Sequence, residues 1–139
     1  MKITVDTNVL VSATFWYGGS NEIIEMAERG EIELILSKDI VKEFTRVLGS
    51  DELQKKIRDK NLEMIRTISK LVAIATMVES RVKICAVTDD PDDDQILECA
   101  KAGKVDFIVS NDAHLLKLKE FEGILIVSSQ KFLQEIAKK

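Results

Sequence analysis

Histidine and cysteine are nearly missing from this 139-residue chain: His114 is the only histidine, and Cys85 and Cys99 are the only thiols. A tetrahedral zinc site with Cys or His ligands therefore cannot be assembled within one chain, and the two thiols read as small buried side chains in a reducing compartment. A single proline, no repeat and no Ser-rich stretch leave no linker at which to divide the sequence, so one domain over residues 1–139 is expected. No run approaches the roughly 18 apolar residues that a membrane span needs, and the opening Met-Lys-Ile-Thr-Val-Asp lacks a secretory apolar core. The expectation is a cytoplasmic protein with no membrane partner. Basic charge is not in excess either. Acids outnumber bases 24 to 20, a net charge of −4, so no global positive field advertises nucleic acid.

What the chain does contain is an alternation of short β-rich runs with longer helical periodicities, the pattern of an α/β fold with a central parallel sheet. Strands are predicted at Ile3 to Val5, Ile32 to Leu36, Val82 to Val87, Phe107 to Val109 and Ile124 to Val127. Helices are predicted near Val9 to Thr14, Ser20 to Arg29 and Lys38 to Leu48, with two longer ones within Asp51 to Val78. Two more follow, near Asp93 to Ala102 and Gln130 to Ala137. Gly30, Gly49 and Gly103 stand where helices should stop, and Ser20, Ser37 and Ser129 where N-caps are wanted.

In an open parallel sheet, ligands bind outside the carboxyl ends of the strands. Acids recur there. Asp6 ends the first strand, Asp89 and Asp90 follow the third, and Asp112 follows the fourth within Ser110-Asn111-Asp112. Glu43 adds a fourth position from a helix. At about 100° per residue it falls just outside the arc of Ile40, Val41, Phe44, Val47 and Leu48, at the core boundary. The densest feature is Asp89-Asp90-Pro91-Asp92-Asp93-Asp94. Asp92 and Gln95 match a capping box, and carboxylates suit a first helical turn, which accounts for part of the run. Like charges this close repel unless a cation neutralises them, and oxygen-only clusters suit Mg²⁺ or Mn²⁺. Asp93 is spaced for the face of Ile96, Leu97 and Ala100, whereas Asp94 shares a face with Glu98 and Lys101, so Asp93 is the better metal ligand. Asp90 and Asp94 remain candidates for the same role.

The ordered set of Val-Asp-Thr-Asn-Val-Leu at residues 5–10, helical Glu43, Asp-Pro-Asp-Asp at 90–93 and Ser-Asn-Asp at 110–112 resembles a PIN domain. The resemblance implies a three-layer αβα nuclease fold and likens the chain to the toxin subunits of VapC-like toxin-antitoxin pairs. By position it makes Asp6, Glu43, Asp93 and Asp112 the core acids, with Asp6, Asp90, Asp93 and Asp112 as metal ligands. Asn8 and Ser110 match polar positions that orient the acids or the attacking water. The implied activity is cleavage of RNA by a Mg²⁺- or Mn²⁺-dependent endoribonuclease, with an antitoxin as partner and a homodimer or higher even oligomer as its state. Two departures stand out: Ser110 where Thr is common, and surplus acids around Asp93.

The charge objection weakens on this reading. Setting aside the eight acids at 6, 43, 89, 90, 92, 93, 94 and 112 leaves 16 acids against 20 bases. Lys38, Lys42 and Arg46 share the helix of Glu43 and are candidate RNA phosphate contacts. Trp16, within Phe15-Trp16-Tyr17-Gly18-Gly19, is a candidate for stacking on an unpaired base or meeting a partner. Two rival functions differ in class. A PIN-like module could bind RNA or protein without cutting. A phosphatase of the haloacid dehalogenase type also begins with an Asp after the first strand, but it wants a second Asp where this chain has Asn8.

Overall fold

The computed structural model describes residues 1–15, 19–50, 69–70, 72–79 and 91–137; for residues 12–15, 19–21, 48, 91–93 and 137 it describes the backbone alone. The predicted strand Val82 to Val87, the helices over 51–68, Cys85, and Trp16 with Tyr17 lie outside the described residues.

Among the described residues six strands make one sheet: β1 (Lys2–Val5), β2 (Glu33–Ser37), β3 (Thr76–Val78), β4 (Phe107–Val109), β5 (Glu120–Phe121) and β6 (Ile124–Val127). Their spatial order is β3-β2-β1-β4-β6-β5; every neighbouring pair is parallel except β5 with β6. Helices α1 (Thr7–Phe15), α2 (Gly19–Glu28), α3 (Lys38–Leu48), α4 (Pro91–Gly103), α5 (Ala113–Leu118) and α6 (Ser129–Ala137) flank it. The expected three-layer architecture thus forms. Helices on a parallel sheet leave its middle strand no solvent face, and Ile3, Thr4 and Val5 of β1 are all fully buried. Thr4 alone among them carries a side-chain polar group, and its Oγ1 lies 3.5 Å from the buried Sγ of Cys99 on α4.

Several local expectations are corrected. The sheet carries an antiparallel edge, because Glu122 and Gly123 both take positive φ (48° and 84°) and turn β5 tightly into β6. Strand β3 lies where a helix was predicted to continue to Val78. Three residues are too few for periodicity to separate strand from helix. Helix α5, one and a half turns long, was not predicted. The cap of α6 is Ser128, whose Oγ accepts from the Lys131 N–H at 3.1 Å, one residue before the expected Ser129. Ser20 lies within the first turn of α2, and Asp92 within α4, which starts at Pro91, so neither is an N-cap. Ser37 does cap α3, accepting from the Ile40 N–H at 3.2 Å.

Gly103 is the last residue of α4, and the left-handed turn that follows is taken by Lys104, at φ 51°. Gly103 serves close approach instead. A Cβ there would meet the Cγ2 of buried Ile35 at 2.5 Å. That methyl sits directly on Cβ of a β-branched residue in β2, so it cannot swing aside. Gly103→Ala is expected to lower stability by about 1–3 kcal/mol, outweighing any helix-propensity gain of at most about 1 kcal/mol. A denaturant titration yielding an unchanged or higher midpoint would refute the close-packing role.

A candidate acidic active site at the carboxyl edge of the sheet

The chain leaves β1, builds β2 and β3 on one side, and returns to place β4 on the other side of β1. The carboxyl ends of β1 and β4 are therefore the switch point of this sheet, where the loops part and a crevice opens. Asp6 stands there. Its N–H donates to Val109 O (3.2 Å), the last rung of the β1–β4 ladder, and its carbonyl accepts from the Leu10 N–H (3.1 Å), the first turn of α1. Its Oδ1 caps α1 by accepting from the Val9 N–H at 2.8 Å, and its Oδ2 accepts from the Ser110 hydroxyl.

Ser110 is fully buried just past β4 and joins two acids. While donating to Asp6, its Oγ accepts from the Asp112 N–H at 3.0 Å. Asp112 caps α5, its Oδ1 accepting from the His114 N–H at 2.7 Å. Asn111, between them, is pinned from outside: its Oδ1 accepts from the Ser129 N–H and its Nδ2 donates to Ser129 Oγ, both at 3.2 Å. Burial pushes the Asp6 carboxyl above its ordinary range. The bonds from Ser110 and Val9 pull it partly back, and the charge of Asp112 raises it further.

Glu43 comes from α3, whose Ile40 and Phe44 are buried at 3% and 1% exposure. Its side chain is 13% exposed, the core-boundary position expected, and its Oε1 accepts from Arg46 Nη2 at 2.9 Å. Lys38, Lys42 and Arg46 are exposed. Lys42, Arg46 and Glu43 line a hollow of about 440 Å³ with Asp39 and with Gln95 of α4. Asn8 is exposed, and its side chain makes no hydrogen bond among the described residues.

On α4, Asp90 and the Asp93 side chain lie outside what is described. The neighbouring face needs correction. Glu98 is 6% exposed while Lys101, on the same side of the helix, is exposed, so the side that Asp94 shares with them is enclosed at Glu98 and opens to solvent at Lys101. Asp94 Oδ1 is shielded from solvent and has no hydrogen-bond partner among the described residues. An orphaned carboxylate oxygen beside Gln95, together with a desolvated Asp6 next to Asp112, is the donor chemistry that suits a hard divalent cation. Among the described residues no three His, Cys, Asp or Glu side chains are grouped closely enough to hold a metal. Sequence reasoning ranked Asp94 below Asp93; the i, i+4 spacing of Asp94 and Glu98 was a signal in the sequence that two acids share one side of the helix.

Comparison with known proteins places this geometry in context. The family model for the PIN domain matches residues 2–114. Two solved structures share the fold. One is VapBC2 from Rickettsia felis bound to a DNA fragment from their promoter, at 14% identity and TM-score 0.64 over 92% of this chain and 98% of that one. The other is a protein from Pyrobaculum aerophilum, at 14% identity and TM-score 0.67 over 100% of this chain and 91% of that one. No curated protein matches the sequence.

The raised Asp6 carboxyl makes stability depend on pH. A carboxyl that holds its proton more tightly in the folded state favours folding in acid, and that contribution is lost as pH climbs through the folded pKa. Without divalent ions, wild type should therefore lose melting temperature relative to Asp6→Asn as pH rises from the ordinary carboxylate range through the raised folded pKa of Asp6. A gap that stays constant across that range would show that Asp6 is not desolvated.

Proposed function

The chain belongs to the PIN domain family, and from that premise we propose that it is a divalent-metal-dependent endoribonuclease. The observation that carries this reading is the pairing of Asp6 and Asp112 through buried Ser110 at the switch point of the sheet. Asp6, Asp112, Glu43 and the Asp90–Asp94 segment would hold Mg²⁺ or Mn²⁺. When bound, the ion would neutralise the scissile phosphate and acidify the attacking water. Ser110 fixes the rotamer of Asp6 and the backbone of Asp112, so neither acid needs to reorganise. The exposed cations of α3 hold the strand by its phosphates. No His or Cys nucleophile is required, consistent with exposed His114 as an ordinary residue of α5.

The rest of the proposal is contextual. One domain covers the chain, and a homodimer or higher even oligomer is its state. Because the Rickettsia felis structure is of a VapBC pair, we extend to this chain an antitoxin partner and a toxin role in the cytoplasm. No helix among the described residues is long and apolar enough to cross a membrane.

A second reading has one observation in its favour. Asp6 and Asp112 each use an oxygen to cap a helix, structural work that a silent RNA- or protein-binding module on the same scaffold would also need. Haloacid dehalogenase chemistry is not proposed, because exposed Asn8 offers no acid/base group.

Cleavage of single-stranded RNAs in Mn²⁺ or Mg²⁺, abolished by EDTA, separates these readings. Asp6→Asn and Asp112→Asn should each reduce cleavage at least about a hundredfold, the scale of losing a group that organises transition-state charge. Mn²⁺ should raise the wild-type melting temperature by mass action. No cleavage of any RNA together with no thermal response to either ion favours the silent module.

A further inference from the structure

Arg46 and Glu43 meet at 2.9 Å, yet they differ in exposure: the arginine side chain is 72% exposed and the glutamate 13%. The carboxylate is held at the edge of the core by the packing of α3, while the guanidinium reaches in from solvent over one turn. Only the guanidinium end of the pair is open to water, where an exposed ion pair is worth no more than about fivefold in an equilibrium constant, and an ion on Glu43 would replace the charge that Arg46 supplies, so the guanidinium can leave without stranding the carboxylate. Its surroundings give it somewhere to go. Arg46 is the last of three exposed cations, Lys38, Lys42 and Arg46, spaced four residues apart along one side of α3. With Lys42 it lines the hollow of about 440 Å³ into which Glu43 also opens.

The geometry points to Arg46 as a movable counter-cation of Glu43, a positioning residue that couples metal loading to RNA binding. While the pocket lacks a divalent ion, Arg46 neutralises the Glu43 carboxylate. When an ion claims that carboxylate, Arg46 is released and joins Lys42 on a phosphate of the RNA strand. This rests on the nuclease reading above. Arginine suits the exchange because its planar fork matches a carboxylate and a phosphate equally. Lys42 cannot play the part: it makes no ion pair with Glu43 among the described residues.

The test is a Mn²⁺ titration by calorimetry of wild type, Arg46→Gln, Lys42→Gln, Glu43→Gln and the double variant Glu43→Gln with Arg46→Gln. Removing the competitor should tighten Mn²⁺ binding by about two- to fivefold in Arg46→Gln, and by less in Lys42→Gln. In the Glu43→Gln background the Arg46 substitution should change nothing. A short single-stranded RNA with hydrolysis-resistant phosphorothioate linkages supplies the second measurement. With Mn²⁺, Arg46→Gln should flatten the logarithmic salt dependence of its binding by about 0.7, one phosphate contact; in EDTA the slope should match wild type. Equal Mn²⁺ affinities, or the same gain with Glu43 already replaced, would overturn the exchange in favour of a diffuse field. A slope lost equally with and without Mn²⁺ would overturn it in favour of a fixed phosphate contact. If wild type takes up no Mn²⁺ at all, the nuclease reading fails and the exchange with it.

Discussion

One buried hydroxyl, that of Ser110, joins the two acids at the switch point of the sheet. It donates a hydrogen bond to Asp6 and accepts one from the Asp112 N–H, so a single oxygen ties the end of β1 to the loop after β4. A desolvated carboxylate at the end of a buried central strand is unfavourable unless donors compensate it. Here the compensation comes from the hydroxyl and from the first turn of α1, and desolvation still prevails. That residual imbalance links fold to chemistry. Hydrophobic burial of Ile3 and Val5 delivers Asp6 to a place where its charge is costly, and a cation or a proton relieves the cost.

The two acids also illustrate how one side chain can serve folding and function together. Asp6 and Asp112 each sit where a strand ends and a helix starts, and each caps that helix with Oδ1. Capping restrains the carboxylate by a backbone N–H of the rigid element it must be positioned against. The remaining oxygen of Asp6 faces Ser110. A cap is therefore compatible with both readings, since it also holds a carboxylate still as a ligand.

Much of this was legible from residues because the signals were long or physically forced. The strands around Ile3, Leu34, Ile108 and Ile126 are apolar runs that can only be interior, and the acids after β1 and β4 follow directly from where those runs stop. The Glu43 boundary position followed from counting angles along α3, a helix with one apolar side. On α4 the wheel missed the burial of Glu98, and the Asp93 side chain lies outside the described residues. On that helix Ile96, Leu97, Glu98, Cys99 and Ala100 are buried in succession, since it packs against β1, β2, β3, β4 and α3 together. Periodicity reports one-sided burial, so a helix covered on several sides defeats it. Elements β3 and β5 escaped for a different reason: three and two residues carry no period, and their pairing with β2 and β6 is a long-range fact.

Charge ties the sequence back to the proposed chemistry. A net charge of −4 repels a polyanion at long range, but salt screens that repulsion beyond about 8–10 Å, and at contact only local groups count. Along α3 the local order is favourable: Lys38, Lys42 and Arg46 face solvent while Glu43 turns toward the core edge. Glu43 is thus turned away from Lys38 and Lys42 by the helical period itself, about 100° per residue, while Arg46 reaches back to it. One helix can present cations to a strand's phosphates and a carboxylate to the pocket beneath, without any basic surplus in the chain as a whole.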